Sequence, residues 1–313
     1  MGRDCTVSVV ITTRNSAGTI GRCLDSLLPY QQEGLIEDVV LVDSHSTDGT
    51  PKIAGRYPVV VLQEESKDHE QSVIRVYHST YGALDQGWRS ARGDVVMFLD
   101  SDAYLGQGIF PEAMEFFSDP RLGVLGCWQR PVGDNWLSRA MGQLLEFHGQ
   151  QIQAVQEGRS GLWGRVYRFA AWFGGDSGGH VPIGGPCYMV RRECLEAVNG
   201  HDAHGDVGIA ARAVELGWRS QWWVGAPVCH PPRQGLWALA RERWSWGQTA
   251  AFRPHKLRHY LSVPASLVWS LLLGLWLTIK YRNPLHLVVC PLTVGAHVAG
   301  GVGGRLAKLW GAR

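Results

Sequence analysis

Four apolar runs without polar alternation mark the first hundred residues: Val7 to Ile11, Val39 to Val42, Val59 to Leu62 and Val95 to Leu99. Runs of this kind read as strands buried on both faces, as in parallel sheets covered by helices. Between the first two, Ile20, Cys23, Leu24, Leu27 and Leu28 repeat at helical spacing and form one apolar stripe, with Pro29 marking its end. A second helix through Tyr81 to Ala91 leads into the fourth run, and Gln221 to Val224 reads as a later strand. Strand, helix and strand at this spacing predict right-handed βαβ units, hence an α/β fold with a mostly parallel central sheet flanked by helices.

Two of these strands end abruptly in acids. Val95 to Leu99 runs into Asp100-Ser101-Asp102, and Val39 to Val42 into Asp43. Ligands of parallel sheets collect at the carboxyl ends of strands, so these carboxylates would point into one crevice. Two acids one residue apart repel unless a cation sits beside them. A hard divalent ion carrying the phosphates of a nucleotide meets that need; a solvated strand exit is the plain alternative. The hydroxyl-rich loop Ser44 to Thr50 reads as a wall of the same crevice or as a tight turn.

Composition narrows the class. The chain has 313 residues, enough for one large domain or two modest ones, and its net charge is only +2. That near balance argues against a nucleic-acid binder, which needs a concentrated basic excess. Seven scattered cysteines without a Cys-x-x-Cys pair read as reduced, mostly buried thiols of a cytoplasmic compartment. Met1 to Cys5 runs directly into a strand, without the apolar core of a signal peptide.

Three segments in order, Val9 to Asn15, Val40 to Thr50 and Ala91 to Ala103, resemble the successive signatures of family 2 glycosyltransferases, over roughly residues 5 to 250. The resemblance implies the GT-A fold and an inverting, metal-dependent transfer from a nucleotide-sugar. It places Asp43 on the nucleoside base, Asp100 near the ribose, Asp102 on the metal, and Thr12 and Arg14 along the nucleotide, with a UDP-sugar the favoured donor and Mn or Mg the ion. Gly184 and Gly185, in Ile183 to Arg192, resemble the segment lining the acceptor pocket; a plain turn explains them as well. Gly200 to Ala213 resembles the family's Glu-Asp motif at a helix start, but Gly205 stands where Glu is usual. Asp206 is therefore the candidate base, with Asp202 as substitute, or else it only charges the first turn of a helix. His230 is a candidate third metal ligand, suited to Mn, or a structural histidine. Arg241 to Gln248 resembles the Arg-x-x-Arg-Trp-like element of polysaccharide-building members; there Arg243 and Trp244 would close over the diphosphate and acceptor, or form part of an interfacial helix.

The last third points to a membrane. Leu261 to Ile279 and Leu285 to Gly304 are uncharged over 19 and 20 residues, and nine of the 14 tryptophans lie from Trp218 onward. The expected layout is a catalytic domain over 1–232, an amphipathic interfacial segment over 233–260 and a membrane hairpin over 261–313. The catalytic domain would face the cytoplasm at the inner membrane, with Lys280 and Arg282 in the turn opposing the positive-inside bias. The acceptor would be a lipid-linked sugar or surface glycan. A polyprenyl-phosphate glycosyltransferase and a catalytically silent membrane scaffold are the rivals, and association into a homo-oligomer stays open.

Overall fold

The computed structural model describes residues 5–65, 75–133, 135–158, 161, 183, 185–200, 205–231, 235–250 and 257–310. The chain forms two compact units, one from Met1–Arg130 and Pro182–His230, the other from Pro131–Val181 and Pro231–Arg313.

The first unit is built on a seven-stranded sheet. Its strands are β1 (Val7–Thr13), β2 (Asp38–Asp43), β3 (Val60–Gln63), β4 (Val95–Asp100), β6 (Leu122–Cys127), β8 (Cys187–Arg191) and β9 (Arg219–Trp223). The spatial order is β3-β2-β1-β4-β8-β6-β9. Neighbours are parallel except that β8 runs antiparallel to both β4 and β6, so every strand but β8 points the same way. Three of the four apolar runs behave as their pattern demands, since β1, β2 and β4 are buried almost throughout, whereas β3 at the sheet edge is largely exposed, with Val60 and Val61 open to solvent.

Helices α1 (Ile20–Asp25), α2 (Leu28–Gln32), α3 (Thr50–Ala54), α4 (Arg75–Ser90) and α5 (Ile109–Phe117) belong to this unit, as do α7 (Arg192–Val198) and α8 (Gly205–Glu215). One expectation fails locally. The stripe from Ile20 to Leu28 is split, and Pro29 opens α2 instead of closing α1, because a residue without an N–H fits the first turn of a helix. Helix α4 lies close on the sheet: a Cβ at Gly87 would stand 2.4 Å from Val10 Cγ1. A second, three-stranded sheet joins β5 (Tyr104–Leu105) to β10 (Val228–His230) and is completed by β7 (Arg130–Pro131).

The second unit is helical among its described residues: α6 (Trp136–Gln156), α9 (Leu236–Ala250), α10 (Leu257–Tyr281) and α11 (His286–Trp310). Asn135 caps α6 by accepting a hydrogen bond from Ser138 N at 2.8 Å. Leu137, Met141, Leu144 and Phe147 of α6 share a core with Leu239, Leu273, Leu277 and Val289. Of the two expected spans, His286–Gly304 is long and apolar enough to cross a membrane by length and composition, whereas the apolar stretch of α10, Ser266–Tyr281, is shorter.

Candidate metal and nucleotide site

The parallel register puts three strand ends at one edge of the sheet, with Thr13 opposite Asp43 and Thr12 opposite Asp100. Asp43 is only 2% exposed. Its Oδ2 accepts a hydrogen bond from Ser46 N at 2.9 Å, while its Oδ1 and the neighbouring Thr13 Oγ1 are buried without a partner. Buried polar atoms are rarely left so, because each forfeits the hydrogen bonds water would give it. A donor group of a ligand entering at this edge would relieve that cost.

Two loops are tied together beside them. Asn15, at φ 53°, receives hydrogen bonds on its Oδ1 from Thr47 N at 2.8 Å and gives its own N–H to Ser46 Oγ at 2.8 Å. Asp48 accepts from Ala17 N at 3.0 Å and from the Thr50 hydroxyl, and that hydroxyl holds its carboxyl below the usual range. Ser16 Oγ lies 2.9 Å from Ser101 Oγ, which links the first loop to the acid pair.

At the end of β4, Asp100 N donates to Pro186 O at 2.8 Å and Asp100 O accepts from Ala103 N at 3.0 Å, turning the chain sharply. The turn feeds β5, which pairs antiparallel with β10 so that Tyr104 faces Cys229. This short ladder carries His230 to the acids, and His230 Nε2 stands 3.1 Å from Asp102 Oδ1. One ligand atom each from Asp100, Asp102 and His230 falls within 4.8 Å of the others. Two carboxylates and an imidazole suit a divalent ion such as Mn or Mg, the imidazole favouring Mn. Behind the group, burial and then the charges of Asp100 and Asp102 push the Cys23 thiol far above its ordinary range, which leaves it an inert core thiol. All seven cysteines are free, as their spacing predicts.

The other expected site residues fare unequally. Thr12 is half-buried at the end of β1 and Arg14 is exposed in the loop that follows. Gly185 adopts φ +133°, a conformation that favours glycine, at the entrance to β8. Gly184 and Asp202 lie outside the described residues. Asp206 is the second residue of α8, with its side chain outside the described atoms. Arg243 and Trp244 belong to the helical unit, where the Arg243 guanidinium lies 4.1 Å from the Trp246 ring centroid and its Nε 3.9 Å from Glu242 Oε2. Thr13, Asn15, Ser16 and Asp48 escaped the sequence reading. Their signal was the density of hydroxyl and amide side chains just after two strand ends.

The sequence model of Glycosyl transferase family 2 matches residues 8–198, well over half of the chain. The chain belongs to the family 2 glycosyltransferases. A beta-monoglucosyldiacylglycerol synthase of Synechocystis is 23% identical over 92% of this chain and 60% of its own length. A glucosyl-3-phosphoglycerate synthase of Mycolicibacterium paratuberculosis is 34% identical over 31% of this chain and 28% of its own length. The chain thus spans between about a quarter and three fifths of these relatives. Among solved structures, the mannosyltransferase PcManGT of Pyrobaculum calidifontis, in complex with GDP-Man and Mn2+, aligns with 100% of this chain and 89% of its own, at a TM-score of 0.61 and 19% identity. Glucosyl-3-phosphoglycerate synthase of Mycobacterium tuberculosis, with Mn2+, UDP and its product, aligns over 79% of this chain and 78% of its own, at a TM-score of 0.52 and 20% identity. These likenesses show that the fold is that of the GT-A glycosyltransferases, as the sequence resemblance implies.

Proposed function

We propose that this family 2 member is a membrane-associated enzyme that transfers a sugar, with inversion, from a nucleotide-sugar to a lipid-linked or surface-glycan acceptor. The reading rests on the Asp100, Asp102 and His230 group standing at the same sheet edge as the unpartnered Asp43 Oδ1. Asp43 and Thr13 would receive the base, Asp100 the ribose, and Thr12 and Arg14 the rest of the nucleotide. Asp102 and His230 would hold the ion. A bound divalent ion neutralises charge on the departing diphosphate, and Arg243 and Trp244 would close over it. Asp206 would take the proton of the acceptor hydroxyl on the face opposite the leaving group, with Asp202 as substitute and Gly184 and Gly185 lining the acceptor side.

A lipid-linked acceptor is favoured over a soluble one by two observations. The relative aligned over most of the chain is named as a glucosyldiacylglycerol synthase, and α10 and α11 present apolar surface. A membrane-confined acceptor gives such surface a purpose, and the enzyme would then work at the inner membrane with its site in the cytoplasm. Incubating the full chain with UDP-, GDP- and dTDP-sugars, with and without Mn2+, tests the reading. Slow metal-dependent hydrolysis of one donor, lost on Asp102→Ala, is the expected result. Absence of metal-dependent binding or hydrolysis for every donor would make the chain a silent member of its family.

A further inference from the structure

The helical unit carries an apolar face whose occupant can be argued. On α10, Val268, Leu271, Leu272, Leu275 and Ile279 form one stripe at helical spacing, each at least half exposed, and Val288 of α11 extends it. A stripe this large and unbroken marks an interaction surface. At its end, Lys280 Nζ lies 5.1 Å from the Trp276 ring and 4.8 Å from the Tyr281 ring, a cation and aromatic pair of the kind found where hydrocarbon meets headgroups. From Arg243 to Arg313 the chain carries nine Lys and Arg and no Asp or Glu, whereas the rest of the chain taken together is acidic. Apolar stripe and concentrated positive charge together fit an anionic lipid surface.

The same helices are fastened to α6 at the turn between them and to α9 along α11. Gln143 of α6 accepts hydrogen bonds on its Oε1 from Asn283 Nδ2 at 3.0 Å and pairs with His286 Nε2 at 2.8 Å, which pins the turn between α10 and α11 to the middle of α6. The outer face of α6 is Arg139, Glu146, Gln150 and Gln153, all exposed. That face belongs in water. Toward its other end α11 touches α9 backbone to backbone, since a Cβ at Gly300 would stand 2.0 Å from Trp244 O and one at Gly247 would stand 1.9 Å from His297 O. Helix α9 exposes Arg241 together with Trp237, Trp244 and Trp246, while Glu242 and Arg243 are largely buried. A crossing helix holds its two ends in opposite aqueous phases, about 30 Å apart. Here the turn is pinned to α6, and a crossing would drag the polar face of α6 through hydrocarbon.

We propose that α10 and α11 lie in the plane of one anionic leaflet, apolar stripe inward, and do not cross it, so that the turn at Arg282–Pro284 stays on the same side as Arg313. The inference rests on the membrane association proposed above. It also removes the conflict over Lys280 and Arg282, because the turn that carries them then lies on the cytoplasmic side.

The test uses the full chain in sealed membranes. Arg282→Cys and Arg313→Cys are each labelled with a membrane-impermeant maleimide in spheroplasts and in inverted vesicles, against the parent chain, whose Cys5 and Cys229 are its partly exposed thiols. Both new thiols reacting from the same face is the expected result; reaction from opposite faces overturns the proposal and leaves membrane association standing. In parallel, flotation with phosphatidylglycerol vesicles should exceed flotation with phosphatidylcholine at least tenfold. It should fall at least tenfold in the exposed-stripe variant Leu271→Asp/Leu275→Asp. A chain that floats with neither vesicle, including one that buries the stripe against a second copy, overturns both the proposal and the membrane reading.

Discussion

His230 Nε2 and Asp102 Oδ1 stand 3.1 Å apart across 128 residues of sequence, brought together by a ladder of only a few residues between β5 and β10. The pair stores a contact that an incoming ion would take over, since both atoms are ligands of the kind a divalent metal uses. Replacing either should weaken metal binding while leaving the sheet intact, because both side chains are partly solvated. Asp102→Ala removes a charged ligand and should abolish measurable Mn2+ binding. His230→Ala should weaken it by about 10- to 100-fold. Titration followed by the electron paramagnetic signal of free Mn2+ reads both, and unchanged affinity in His230→Ala would remove histidine from the ligand set.

Asp43 makes a separate prediction, because its unpartnered Oδ1 is the clearest unmet hydrogen-bonding need at the sheet edge. A hydrogen bond to a charged group contributes about 1.5–3 kcal/mol. Asp43→Ala should therefore raise the dissociation constant of the nucleotide by roughly 10- to 150-fold. Calorimetry with the nucleoside diphosphate measures it. Equal losses for every base would show that Asp43 shapes the loop instead of reading the ligand, whereas a loss confined to one base assigns it to recognition.

The strand ends were legible because burial on both faces leaves β1, β2 and β4 as nearly pure apolar runs, so Asp43 and Asp100 stand out as the first polar residues after them. Of the ligand group, Asp100 and Asp102 were legible as an acid pair at a strand end, and His230 only through family resemblance. Nothing local in Val228-Cys229-His230 signals a partner 128 residues away; the β5 to β10 pairing creates it. The loop ties made by Asn15 and Asp48 were hidden for the same reason, since each depends on two loops meeting. The C-terminal helices were legible only in part. Hydropathy reports how apolar α10 and α11 are, but the bonds from Gln143 to Asn283 and His286, which bear on their orientation, involve a residue about 140 positions earlier.

His148 predicts an acid-sensitive helical unit. Burial, and then the charge of Arg243, push its imidazole down to about 4. In the unfolded chain a histidine titrates near 6.5, so between about 6.5 and 4 the unfolded state binds a proton that the folded state refuses. Stability contributed by the neutral ring is therefore complete above about pH 6.5 and is lost progressively as pH falls toward 4. Thermal melting of the full chain between pH 7 and pH 4.5 should show this slope, and His148→Gln should flatten it. An equal slope in the variant would move the acid sensitivity to other groups.

Gly300 and Gly301 are adjacent on α11 yet meet different surroundings, which makes them a matched pair. A Cβ at Gly300 would stand 2.0 Å from Trp244 O, a backbone atom that can yield only if α9 moves away. A Cβ at Gly301 would find its nearest neighbour, Gly247 O, at 3.5 Å, an ordinary contact. Alanine is favoured over glycine inside a helix by about 1 kcal/mol. Gly301→Ala should therefore be neutral or stabilising by up to about that amount. Gly300→Ala gains the same helical preference but must force two backbones apart, and overpacking of this kind costs about 1–3 kcal/mol or more. Thermal denaturation followed by circular dichroism should separate the two variants by several degrees in opposite directions. If both shift the midpoint alike, α9 and α11 are not held in backbone contact at Gly300, and the fastening of α11 to α9 loses its basis.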